Sequence, residues 1–149
     1  MPTFRMTRTV KHTPSQMFAL VADVERYPEF LPLCEELRVV RRVQSGEGVE
    51  TLVATMSVGY KAIRESFTTR VTLDEPRLRI GVEYVDGPFK YLENRWTFRA
   101  VPGGCDVEFY INYEFKSFAL SILMGSVFDR AFRKFTEAFE ERADRVFAT

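Results

Sequence analysis

From residue 37 to residue 115 the apolar side chains of this sequence recur at every second position, a spacing that strands satisfy and helices cannot. Leu52, Ala54, Met56, Val58 and Tyr60 form one such row, and Phe67, Thr69, Val71 and Leu73 the next. Leu78, Ile80, Val82 and Tyr84 follow, then Leu92, Asn94, Trp96 and Phe98, then Val107, Phe109, Ile111, Tyr113 and Phe115. The alternate positions carry Arg64, Arg70, Arg79, Glu83, Glu93, Arg95, Asp106 and Glu108. Turn residues separate the rows at 45–48 (SGEG), 74–76 (DEP), 86–88 (DGP) and 102–104 (PGG). One dry and one wet face along successive hairpins make an antiparallel sheet.

The flanks are helical. Residues 4–10 read as a first strand. Thr13 then suits an N-cap, Pro14 the first helical position and Gln16 the far corner of a capping box. The stripe Met17, Leu20, Val21, Val24 continues that helix, and Pro28 and Pro32 bracket a second short helix or tight loop over 27–34. A closing helix over 119–147 would run about 40 Å. Its apolar stripe includes Leu120, Leu123, Met124, Val127, Phe128, Phe132, Phe135, Phe139 and Val146. Pairs Asp129/Arg133, Arg133/Glu137 and Glu141/Arg145 are spaced for ion pairs worth a few tenths of a kcal/mol each. His12, at the end of the first strand, is expected to be solvated. The order predicts an α+β helix-grip fold, one domain over 1–149: a curved antiparallel sheet of about seven strands around a long C-terminal helix, with two short helices after strand one.

Charge narrows the function. With 21 Lys and Arg against 21 Asp and Glu, the chain lacks the basic excess that phosphate-driven binding uses, so direct DNA binding is not expected. The lone histidine and two distant cysteines, Cys34 and Cys105, form neither a zinc motif nor a Cys–His nucleophile pair. The cysteines read as reduced thiols, with a disulfide as the alternative. Phosphate-binding glycine motifs and metal-spaced carboxylates are absent, so no catalytic residue, covalent cofactor or metal site is assigned. The opening residues MPTFRMTRTVKHTP lack the apolar core of a signal peptide. The most apolar run, residues 118–128, is about half of a bilayer span. The expectation is a cytoplasmic protein, with peripheral attachment to the inner membrane as its variant.

Three features exceed what a plain core requires. Residues 118–128 (FALSILMGSVF) are apolar on nearly every side. The proline-bounded loop carries Phe30, Leu31 and Leu33. Both the inward strand rows and the helix stripe are rich in Phe, of which the chain has 14. Large rings holding a concave sheet away from a helix leave room for an apolar ligand. Glu65 is the one ionisable residue whose parity places it in an inward row, as a polar anchor, a general base, or a residue turned outward by a bulge.

The run Leu20-Val-Ala-Asp-Val-Glu-Arg-Tyr-Pro-Glu-Phe-Leu-Pro-Leu-Cys34 closely resembles a signature of the coenzyme Q-binding START-domain family. Val58-Gly-Tyr-Lys-Ala-Ile-Arg-Glu-Ser-Phe67, Asp86-Gly-Pro-Phe-Lys-Tyr-Leu92, Trp96-x-Phe98, Phe109, Tyr113-Glu-Phe115 and Ala138-Phe139 extend the match from about residue 4 to residue 146. Leu33 departs from it, standing where members often have Trp. The resemblance implies a START/Bet v 1-like helix-grip. The family includes mitochondrial proteins needed for coenzyme Q function in respiration and a bacterial branch, the RatA toxins, named for inhibiting ribosomal subunit association. With no transit peptide at its start, the sequence resembles a bacterial member, and that is the expectation.

On that reading the ligand is ubiquinone or a related isoprenoid, and the protein is a carrier or chaperone for respiration or quinone biosynthesis rather than an enzyme. Each buried methylene is worth about 0.8 kcal/mol against water, but a tail leaving a bilayer gains little, so specificity falls to polar groups at the ring. Phe67, Trp96, Phe109, Phe115, Phe128 and Phe132 are the expected wall, with Tyr113 or Asn94 to bond a carbonyl. Phe30, Leu31 and Leu33 with Leu120, Leu123 and Met124 are the expected gate, touching a membrane surface transiently. One alternative is a RatA-like module docking on the ribosome through Arg38, Arg41, Arg42, Lys61 and Arg64. Another is a polyketide cyclase or aromatase using Glu65.

Overall fold

The computed structural model describes residues 3–147. Seven strands form one antiparallel sheet: β1 (Thr3–Val10), β2 (Cys34–Gly46), β3 (Val49–Tyr60), β4 (Ile63–Asp74), β5 (Arg79–Asp86), β6 (Phe89–Val101) and β7 (Gly104–Phe115). Their spatial order is β1-β7-β6-β5-β4-β3-β2, so β2 to β7 is an unbroken run of hairpins. β1 pairs with β7, Phe4 opposite Ile111 and Val10 opposite Cys105. The period-two rows keep their parity throughout. Leu52, Val71, Ile80, Trp96, Phe109 and their in-row neighbours face the concave side. Register shifts in β2, at Thr68/Thr69 of β4 and at Phe89/Tyr91 of β6 mark bulges, which bend strands and help the sheet curl.

Helix α1 (Pro14–Ala22) carries the capping box in full: Thr13 Oγ1 accepts from the Gln16 backbone N–H, and Gln16 Oε1 accepts from the Thr13 N–H. It buries Met17, Phe18 and Val21; the expected Leu20 is half-buried and packs against the core, and Phe18 joins the stripe. The second short helix differs from the expected 27–34. It is a 3-10 turn over Val24–Glu29 with Pro28 inside it, and 30–33 is a loop.

Helix α2 (Phe118–Val146) lies across the concave face, capped by Ser117. Met124, Val127, Phe128, Ala131, Phe132 and Phe139 are buried beneath it, but Leu123 and Val146, expected in the stripe, are exposed. Of the three expected intrahelical ion pairs, Asp129–Arg133 forms at 3.0 Å. Pairs to the body anchor the other end instead: Arg8–Glu140 at 2.6 Å and Arg142–Glu29 at 2.6 Å. His12 is not solvated as expected; it is buried, with Nε2 2.7 Å from Asp144 Oδ1 and its ring against Phe147. It joins the end of β1 to the last turn of α2. No helix among the described residues is long and apolar enough to cross a membrane.

Candidate functional site: an apolar cavity under the long helix

Two motifs singled out in the sequence shape the space beneath α2. In the first, the Tyr27 hydroxyl donates to the Val21 carbonyl at 2.5 Å, and the Tyr27 and Phe30 rings pack edge-on against Phe139 at 5.3 and 5.1 Å. That arrangement fixes the loop so that Leu31 is buried. Leu33 follows with φ +69°, a left-handed conformation unusual for a residue with a side chain, and its carbonyl accepts from the Gly59 N–H at 3.1 Å.

In the second motif, Gly87 has φ +145°, and a Cβ there would lie 2.5 Å from the Phe67 Cβ. Only glycine lets this turn close over Phe67. Phe89 is fully buried, with Phe67, Tyr84 and Phe115 rings centred 5.2, 5.7 and 4.9 Å away, and its N–H donates to the Tyr84 hydroxyl at 3.0 Å.

Between these corners lies a cavity of about 100 Å³. Leu31, Leu33, Phe67, Asn94, Trp96, Phe128 and Phe132, all expected site residues, line it. Its half-exposed wall residues are Leu37, Met56 and Phe67, neighbours across β2, β3 and β4, and Val82 of β5, with Pro32 and Leu33 of the loop and Phe135 of α2. There the sheet curls away from α2, which rests on β1 and β7 instead. An apolar cavity of roughly 150 Å³ accepts benzene. The cavity therefore has room for about one small ring, and a whole lipid requires the wall to part.

The other expected site residues lie outside this wall. Phe109 stands behind Trp96, ring centres 4.7 Å apart, and Phe115 and Met124 are packed core. Tyr113 packs on Phe132 at 5.2 Å and helps line a separate, more open hollow with Ser121, Gly125 and Asp129. Burial, with Asp129 adding, pushes its hydroxyl up to about 12. Phe30 covers Phe139 from outside. Leu123 is sixteen residues before Phe139, about 24 Å along the helix axis, so the loop and the first turns of α2 do not form the single gate expected. Leu120 is half-buried and also outside the wall. Glu65 is half-buried opposite Val58 and does not reach the cavity.

The polar chemistry of the wall is sparse. Asn94 is held at both ends, its amide donating to the Tyr110 carbonyl at 2.8 Å and its Oδ1 accepting from Trp96 Nε1 at 3.1 Å. The second amide hydrogen has no partner among the described residues. Thr69, not singled out in the sequence as a site residue, is buried in the same wall, and its hydroxyl has no partner among the described residues. Its period-two parity was legible, but a threonine in a strand carries no further mark. Phe135 and Phe139 were legible only as helix stripe. Among the described residues no group of His, Cys, Asp or Glu could hold a metal ion. Both cysteines are free and buried, and burial pushes the Cys34 thiol up to about 11, away from the reactive thiolate.

The known proteins similar to this chain span both expected branches. It is 32% identical over 149 residues to the ribosome association toxin RatA of Rickettsia prowazekii, covering 98% of this chain and 99% of that one. It is 31% identical over 141 residues to the mitochondrial coenzyme Q-binding protein COQ10 of Drosophila melanogaster, covering 91% of this chain and 56% of the relative. The solution structure of an 18 kDa protein from Caulobacter crescentus superposes with TM-score 0.82 at 36% identity, over the full length of both chains. The family described as polyketide cyclase / dehydrase and lipid transport matches residues 10–140, from the last residue of β1 well into α2, and this chain belongs to it.

Proposed function

We propose that the protein binds the ring of an isoprenoid quinone, or of a closely similar lipid, in the cavity under α2 and acts as its carrier. The observation that carries this reading is the wall itself: rings and aliphatic side chains almost throughout, with two hydrogen-bond donors, Thr69 Oγ1 and the free Asn94 amide hydrogen, left for a ligand. A quinone ring presents carbonyl acceptors to such donors and an apolar edge to the rest. The tail then leaves between Leu33 and Phe67 on the half-exposed side. Among the described residues no carboxylate, histidine or cysteine lines the wall with these donors, which favours binding over catalysis.

Trp96 is the only tryptophan and lies in the wall, so its fluorescence reports occupancy. Titration with a short-chain ubiquinone should quench it saturably, whereas the same concentration of free tryptophan analogue shows only collisional loss. Quenching that never saturates contradicts the proposal.

A second reading is favoured by the RatA relative, whose name ties that protein to the ribosome. Of the five basic residues expected to serve it, Arg42 is engaged by Glu25 and Glu50 and Arg64 by Glu35. Arg38, Arg41 and Lys61 remain exposed without an acidic partner among the described residues. Salt-sensitive co-sedimentation with ribosomes, lost on neutralising those three, is what this reading requires.

A further inference from the structure

The first turns of α2 expose a cluster of large apolar side chains. Phe118 is 82% exposed, Ile122 65% and Leu123 59%, and no charged residue occurs between Lys116 and Asp129. Together they present about 350–400 Å² of apolar surface at ordinary side-chain areas. That is about half of what each partner contributes to a stable protein interface, so a second copy of this chain is a poor occupant. Membrane anchoring needs less area and a different neighbour, a basic shelf at headgroup depth.

The same helix supplies the shelf. Arg130 and Lys134 follow Leu123 by seven and eleven residues, along nearly the same line of the helix and about 10 and 16 Å further on. Both are exposed, and neither has an acidic partner among the described residues; the nearby Asp129 is taken by Arg133. The outer line of α2 thus runs from apolar to cationic, matching the order acyl chain, phosphate, water.

We propose that the first two turns of α2 dock the protein on an anionic lipid bilayer, with Phe118, Ile122 and Leu123 entering the acyl region and Arg130 and Lys134 meeting headgroup phosphates. The proposal deepens the lipid-carrier reading and rests on it, because a ligand stored in a bilayer has to be collected there. It also moves the membrane contact away from Phe30 and Leu31, which are tied to Phe139 and the core.

Flotation with vesicles of phosphatidylcholine alone, and of phosphatidylcholine with phosphatidylglycerol, tests it. The protein should float with the anionic vesicles. Ile122→Ser with Leu123→Ser should lower that partitioning more than about tenfold, with unchanged far-UV circular dichroism because both positions are exposed. Arg130→Gln with Lys134→Gln should abolish the preference for phosphatidylglycerol. Flotation of the apolar double variant at the level of the parent overturns the proposal. So does a dimer in analytical ultracentrifugation that the same variant dissolves. Trp96 quenching by short-chain ubiquinone in detergent is read in parallel. Quenching kept while flotation is absent from the parent sinks the docking surface alone, and flotation kept without saturable quenching sinks the ligand reading alone.

Discussion

Asn94 and Thr69 carry the selectivity that the remaining wall lacks. The Asn94 amide is oriented by Tyr110 and Trp96, so its free hydrogen is presented without rotamer loss, and the Thr69 hydroxyl is unpaired among the described residues. A neutral hydrogen bond is worth about 0.5–1.5 kcal/mol net. Thr69→Val keeps shape and strand preference and should weaken short-chain ubiquinone about threefold to tenfold. Asn94→Leu should weaken it at least as much, since it also frees the Trp96 N–H. Neither should change binding of an isoprenoid hydrocarbon without carbonyls, measured by the same Trp96 quenching; equal losses for both ligands would contradict a ring-directed role. At this scale the sequence was half legible. Asn94 and Trp96 stood out as polar and large members of an inward row, whereas Glu65 drew attention by its charge, and the bland threonine four residues on occupies the wall instead. His12 was misjudged because its partner, Asp144, is 132 residues away.

The elements were far more legible than their meeting points. Alternation marked out a sheet of about seven strands, and the Thr13–Gln16 box marked where α1 begins, whereas the Ser117 cap of α2 was not singled out. Local pattern could not show that α2 rests on β1 and β7 and leaves β2–β4 apart from it, because that depends on how bulges curl the sheet. Nor could it separate the Phe30 loop from Leu123; both are apolar, and only the helix axis shows the distance. The Gly87 turn is where one element positions the cavity directly. Gly87→Ala would drive a Cβ to 2.5 Å from the Phe67 Cβ and 2.9 Å from its Cα, at a φ that disfavours side chains. The expected cost is about 1–3 kcal/mol, a fall in Tm of about 3–10 °C for a chain of this size. Gly103→Ala, also at positive φ but with open space around the new methyl, isolates the backbone contribution. Equal Tm losses in the two variants would mean that the Phe67 contact is not what the turn protects.

For the molecule as a whole, a sheet that grips its helix along one side and opens along the other is a clasp. The gripped side is tied by Arg8–Glu140 and His12–Asp144; the open side has no such ties near Met56 and Phe67 among the described residues. A cavity of about 100 Å³ fits this picture of a pocket that admits a ring and must widen for more. The exposed tip of α2 belongs to the same helix as Phe128 and Phe132 in the wall, so a membrane contact at the tip would act on the clasp directly. Family membership was legible from the proline-bounded and Gly-Pro-Phe motifs, but the ligand was not, since relatives named for the ribosome and for coenzyme Q resemble the chain almost equally, at 32% and 31% identity. The measurement that bears most directly on the carrier account is extraction of the protein purified from its native host under non-denaturing conditions, with the bound lipids identified by mass spectrometry. The account predicts an isoprenoid quinone in stoichiometric amount; a protein that is empty, and stays empty after incubation with quinone-loaded liposomes, would contradict it.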